Sequence, residues 1–168
     1  MHHHVHYDAA FADLLKARTW PHVVVDETQR AAYGSVSLKN LDFIVYSEAG
    51  PNLLVDVKGR KFHPTGRGSG RAWENWITAD DLDSMRLWQG VFGPEFNAAI
   101  VFAYWLQGSP EQFPFEDAYL FKGNYYAFVA VELEQYAASA KARSARWGTV
   151  SVPSRQMAAM ARPIDEFL

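Results

Sequence analysis

Two short apolar runs, Leu41–Tyr46 and Asn52–Val57, flank the segment Ser47-Glu48-Ala49-Gly50-Pro51. The spacer is turn chemistry between strand-forming residues, so the stretch is predicted to be a β-hairpin. The charges it carries limit what it can become. Asp42 sits near the start of the first run, and Asp56 and Lys58 close the second with only Val57 between them. Side chains alternate along a strand, so Asp56 and Lys58 share one face, roughly 7 Å apart along the backbone. A carboxylate on a half-buried sheet face is costly unless it is paired or binds a metal. One way to meet that need is a plain salt bridge between Asp56 and Lys58, or solvation at a strand end. The other is a hard divalent cation, Mg²⁺ or Mn²⁺, which takes oxygen ligands from one or two carboxylates and completes its shell with water or phosphate. In that case Asp42 and Asp56 supply the oxygens, while Lys58 orients or deprotonates a water or neutralises charge on a phosphate.

With 168 residues, 49% of them hydrophobic, the chain is long enough for one well-packed domain over 1–168. No run is long enough to span a membrane and no signal-like segment opens the chain, so a soluble, cytoplasmic protein is expected. The absence of cysteine removes disulfides, thiolate metal sites and cysteine nucleophiles. Any metal must then be held by oxygen or imidazole. A net charge of −3 means that a nucleic-acid surface would have to be a local patch. The histidines at the N-terminus suit adventitious metal binding and are not counted as a site.

Apolar residues at helical spacing predict a first helix over 7–18, followed by a strand over 22–26 and a polar loop before the hairpin. After the hairpin, residues 59–71 hold four glycines and, counted from Lys58, five basic side chains: Lys58, Arg60, Lys61, Arg67 and Arg71. Such a stretch reads as a mobile basic loop, either merely solvated or able to grip phosphates beside the acids. Lys39, Arg60, Lys61, Arg67 and Arg71 are accordingly the candidate nucleic-acid-binding residues. Trp73–Ile77 is a short aromatic segment. Thr78 then caps a helix with Leu82, Met85, Leu87, Trp88 and Val91 as core positions, and its first-turn acids are explained by the helix dipole. Residues 97–106 read as a strand buried on both faces. Beyond it come a hairpin over 117–131, a helix over 132–143, a strand over 147–152 and a short helix to Met160. Lys141, Arg143, Arg146 and Arg155 form a second, scattered basic set.

The pair of aspartates and the Asp56-Val57-Lys58 triplet, with helix, strand, hairpin, helix and buried strand in that order, resembles the PD-(D/E)xK nuclease superfamily. This group has the restriction-endonuclease-like fold and includes Holliday-junction-resolvase-like members. Asp42 matches its first acid and Asp56-Val57-Lys58 its (D/E)xK element, with Leu41 where proline often precedes the acid. The resemblance implies an α/β fold with an αβββαβ core over 7–106, a mixed central sheet flanked by helices, and a C-terminal β-hairpin and helix extension over 107–168. It implies a metal set of Asp42, Asp56 and the Val57 carbonyl. It also implies a further acid on the first helix, Asp8, with Asp13, Asp26 and Glu27 as alternatives. Gln89 matches a glutamine that some members carry on the helix after the motif, although Gly93 stands where a tyrosine often follows.

The activity so implied is Mg²⁺- or Mn²⁺-dependent hydrolysis of phosphodiester bonds by a nuclease, with DNA the expected partner and a homodimer a possible assembly. Two rivals are a non-catalytic nucleic-acid- or protein-binding module on the same fold, and a small-molecule-binding domain whose pocket is lined by Trp73, Trp76 and Trp105.

Overall fold

The computed structural model describes residues 5–26, 31–33, 36–64 and 73–168. Helix α1 (Val5–Ala17) buries Tyr7, Ala10, Phe11, Leu14 and Leu15, the apolar stripe that its sequence spacing predicts. The strand β1 (His22–Val24) follows directly. Where a polar loop was expected, β2 (Ala31–Tyr33) and β3 (Val36–Leu38) pair as a small separate antiparallel sheet. The central hairpin is β4 (Phe43–Val45) and β5 (Asn52–Phe62), antiparallel with Phe43 opposite Val55. Its turn is closed by side chains: Ser47 Oγ accepts from the Ala49 and Gly50 amides, and Asn52 Oδ1 accepts from the Ser47 amide.

The strand β5 outruns its sequence pattern. Gly59 to Phe62, read as the start of a mobile loop, remain in the strand because β7 (Phe96–Leu106) pairs with it in parallel along its whole length, from Asn52 opposite Phe96 to Phe62 opposite Leu106. The crossover between them holds the two-residue strand β6 (Ile77–Thr78) and helix α2 (Ala79–Phe92). Thr78 and Asp81 form a reciprocal capping box at the start of α2. Leu87 and Val91, expected in the core, are exposed, since α2 packs through Leu82, Met85 and Trp88 instead.

The chain continues through β8 (Tyr119–Phe121), β9 (Asn124–Glu132), α3 (Leu133–Ser139), β10 (Lys141–Ser144), β11 (Thr149–Ser151), α4 (Ser154–Met160) and β12 (Arg162–Pro163). The helix predicted over 132–143 therefore stops at Ser139, and Lys141–Ser144 is a strand. The main sheet is seven-stranded, in the order β1-β4-β5-β7-β9-β12, with β8 also beside β9. A second sheet has the order β10-β11-β6. Among the described residues no helix is long and apolar enough to cross a membrane.

Alternation sorts the core into two layers. Leu54, Phe62, Ile100, Phe102 and Tyr104 face α2 and α3, whereas Leu53, Val55, Val57, Val101 and Ala103 face α1. The helix α1 lies so close that a Cβ on Gly59 would stand 2.0 Å from the Tyr7 ring. Only a residue without a side chain fits there.

Gly59→Ala is therefore expected to lower stability by roughly 1–3 kcal/mol through overpacking, read as the shift in denaturant midpoint. Gly50→Ala, whose Cβ would have only Ser47 Oγ nearby at 3.9 Å, should leave the midpoint almost unchanged.

Candidate active site

The register of the central hairpin brings the acids together. Phe43, the first residue of β4, opposes Val55, and the Asp42 amide just before it donates to the Val55 carbonyl at 2.9 Å, so Asp42 enters the hairpin beside the Val55–Val57 stretch of β5. The Asp42 carboxyl comes within hydrogen-bonding reach of Asp56. Its Oδ2 also accepts from the Val57 amide at 2.6 Å. Because the N–H and C=O of a residue in an antiparallel strand point the same way, the Val57 carbonyl is directed to this same side of β5.

Both aspartates are only 8% exposed. Carboxylates at that depth need partners: the hydrogen bond with Asp42 favours the Asp56 charge, and cations answer the rest. The Lys58 Nζ lies 2.9 Å from Asp56 Oδ2 and 3.2 Å from Asp81 Oδ2. The Lys39 Nζ lies 3.0 Å from Asp81 Oδ1 and donates to Thr78 Oγ1 at 3.1 Å. The result is a connected chain, Asp42, Asp56, Lys58, Asp81, Lys39, whose charge alternates from Asp56 onward. The contact of Lys58 with Asp56 is close but poorly directed for a hydrogen bond. Asp56 Oδ2, shut off from solvent, therefore receives no directed donor among the described residues.

Burial pushes the Asp56 carboxyl above the usual carboxylate range, and the Asp81 charge pushes the same way against Lys58. Burial would lower Lys58, but Asp56 and Asp81 outweigh it, so its ammonium is pushed up to about 12. Burial likewise opposes the charge on Asp81, yet Lys58, Lys39 and Thr78 hold it down at about 2. Near neutral pH Lys58 is thus a fixed cation, suited to orienting a water or screening charge and unsuited to removing a proton.

Arg60 follows on the same face of β5 and is 8% exposed. Its guanidinium stacks on Trp76 at 4.1 Å from the ring centroid and donates to the Gly59 and Trp76 carbonyls. Lys61 projects to the opposite face, exposed, 5.3 Å from the Trp105 ring. Arg67, Arg71 and Glu27 lie outside the described residues.

The supporting residues disperse. Asp8 stands in the first turn of α1, whose apolar side covers the sheet face opposite to Asp56 and Lys58. Asp13 accepts from the Tyr119 hydroxyl at 2.6 Å, and Asp26 is exposed after β1. The Gln89 amide clips α2 to β7: it donates to the Phe96 carbonyl and accepts from the Ala98 amide. Two turns of helix, about 12 Å of rise, separate it from Asp81. Asp81 is the member that sequence reasoning left out. A capping box accounts for its position on α2, but the same carboxylate also holds Lys58 and Lys39. The spacing Thr78-x-x-Asp81 on the helix that follows the motif was the available signal. The three tryptophans do not share a pocket: Trp73 packs with Phe62 and Tyr104 on one sheet face, Trp76 with Arg60, and Trp105 on the other face.

No group of three or more acidic, histidine or cysteine side chains suited to a metal occurs among the described residues. The oxygen donors that do converge are two carboxylates and one carbonyl, which suits a hard cation that keeps part of its water shell.

No family model and no curated protein sequence matches the chain. A solved structure does match: that of Hjc, a Holliday junction resolvase from the archaeal hyperthermophile Archaeoglobus fulgidus. The alignment has a TM-score of 0.56 and 13% identity, and covers 97% of this chain and 98% of that one. The fold is restriction-endonuclease-like, with a mixed central sheet between helices.

Asp56→Asn removes a buried charge that burial opposes, so in EDTA this variant is expected to melt at or above the wild-type temperature. Lys58→Met leaves the carboxylates without their cation and should cost about 3–5 kcal/mol. The pH dependence follows from the signs of the shifts. The Asp81 contribution is complete above the ordinary carboxylate range and lost as pH falls toward about 2. The Lys58 contribution is complete below the ordinary lysine range and lost as pH rises through about 12. Thermal melts of Asp81→Asn should accordingly differ from wild type at pH 7 and converge with it in acid.

Proposed function

We propose that this chain is a divalent-metal-dependent nuclease of the PD-(D/E)xK kind that hydrolyses phosphodiester bonds in DNA. The observation that carries the reading is the meeting of the Asp42 and Asp56 carboxyls at the head of the hairpin, with Asp56 Oδ2 shut off from solvent 2.9 Å from a cationic Lys58. A bound cation would share Asp56 with the Lys58 ammonium. The Asp42 and Asp56 carboxylates and the Val57 carbonyl would hold Mg²⁺ or Mn²⁺. Such an ion supplies Lewis-acid stabilisation of phosphate oxygens and a more acidic water.

The protein's own groups have separable tasks. Lys58 stays protonated and donates hydrogen bonds to the attacking water or to a non-bridging phosphate oxygen, where charge grows as the new P–O bond forms and the ester P–O bond breaks. Asp81, fixed by the cap of α2, keeps the ammonium from turning away. Lys39 neutralises the second oxygen of Asp81, so that the carboxylate does not repel a phosphate. Lys39, with Arg67 and Arg71, would contact the nucleic-acid backbone. The Hjc fold match supports a nuclease on this scaffold, and the convergence of Asp42, Asp56 and Lys58 supports the assignment of its site.

Supercoiled plasmid and a branched DNA, each incubated with Mg²⁺ or Mn²⁺, test the proposal. Wild-type protein should produce cleavage that EDTA abolishes, and Lys58→Ala or Asp56→Asn should slow it about 100-fold or more. Binding without any metal-dependent product, or unchanged product from Lys58→Ala, would overturn it.

A further inference from the structure

Residues 135–164 hold five lysine and arginine side chains and no carboxylate, in a chain whose net charge is −3. Three of them, Lys141, Arg143 and Arg146, lie on β10 and the turn into β11, and all three are exposed. That turn also holds Trp147, which at 68% is the most exposed of the large hydrophobic side chains described. An indole in water forgoes a large burial gain, so its position asks for a partner. The turn is well built: the Trp147 amide donates to Ser144 Oγ at 3.3 Å, and Gly148 takes the left-handed conformation that closes it. The Arg146 guanidinium stands 5.2 Å from the Trp147 ring centroid.

The hairpin adjoins the acidic site through backbone bonds. The strand β11 pairs with β6, and the Gly148 carbonyl accepts from the Ala79 amide at 2.8 Å, two residues before Asp81. Trp76 connects the two regions, with Arg60 4.1 Å and Arg143 5.4 Å from its ring.

Cations together with an exposed aromatic face suit a polyanion that also offers flat rings. Duplex DNA presents phosphates but hides its base faces in the stack, which would leave Trp147 in water. An unpaired strand offers both. We infer that the β10–β11 hairpin grips an unpaired single strand of nucleic acid, with Trp147 stacked on a base and Lys141, Arg143 and Arg146 on its phosphates, beside Asp42, Asp56 and Lys58. This rests on the nuclease reading and narrows its substrate to nucleic acid with unpaired bases next to the cut.

Fluorescence anisotropy in EDTA separates this inference from cleavage. The full chain is titrated onto fluorescein-labelled oligothymidylate, oligouridylate and a blunt DNA duplex. Wild-type protein should bind one or both single strands more tightly than the duplex, the two single strands telling DNA from RNA. Trp147→Ala should weaken single-strand binding about tenfold or more while barely changing duplex binding, and Trp147→Phe should restore most of it. Arg143→Ala with Arg146→Ala should weaken all ligands and flatten the salt dependence by about one unit of slope per lost phosphate contact. Equal single-strand binding by wild type and Trp147→Ala, or an equal loss on duplex, overturns the inference even if the enzyme cuts DNA. Trp147-dependent single-strand binding with no metal-dependent cleavage upholds the hairpin's role and overturns the nuclease reading instead.

Discussion

The meeting of two buried carboxylates at one hairpin is the constraint on which the rest of the site depends. Asp42 reaches Asp56 because Phe43 pairs with Val55, and a slip of one residue in β5 would turn Asp56 to the α1 side. Register is held on both flanks of the pair. Upstream, Val45, Val55 and Leu53 bury their side chains against α1. Downstream, the Val57 amide reaches Asp42 Oδ2. The apolar packing therefore fixes a pair of buried acids whose desolvation has to be met by other groups.

Meeting that buried charge accounts for the elements around it. Lys58 answers Asp56 from two residues along the same strand face, and Asp81 answers Lys58 from the first turn of α2. The helix is aimed there by the crossover from β5 to β7, by the capping box of Thr78 and Asp81, and by the Gln89 clip onto the start of β7. Such a network stabilises less than an apolar substitute of the same volume would, since each buried ion forfeits its hydration. Its position in a well-packed sheet fits the nuclease reading proposed above.

The second sheet changes how the C-terminal part is understood. A strand at Lys141–Ser144, in place of the last turns of a helix, sets Lys141 and Arg143 on an exposed edge and carries Trp147 out at a turn. By pairing with β6 it places that edge beside the same α2 terminus that holds Asp81. Cations dispersed along a solvated helix would have had no such address.

Much of the scaffold was legible in the chain. Apolar spacing marked α1, turn chemistry marked the central hairpin, and a continuous apolar run marked β7, because each reflects periodicity or local backbone preference over neighbouring residues. The period of two also put Asp56 and Lys58 on one face. What tertiary structure decided was set by partners distant in sequence. Pairing with β7 keeps Gly59 to Phe62 extended despite their loop-like composition, and Arg60 leaves the solvent because Trp76 receives it. Asp81 looked like an ordinary helix cap, and only the crossover shows that the same carboxylate meets Lys58. Local pattern thus determined which residues are strand, helix and charge. Which charges meet was decided by register and crossover geometry, because an ion pair depends on distances that no neighbouring residue encodes.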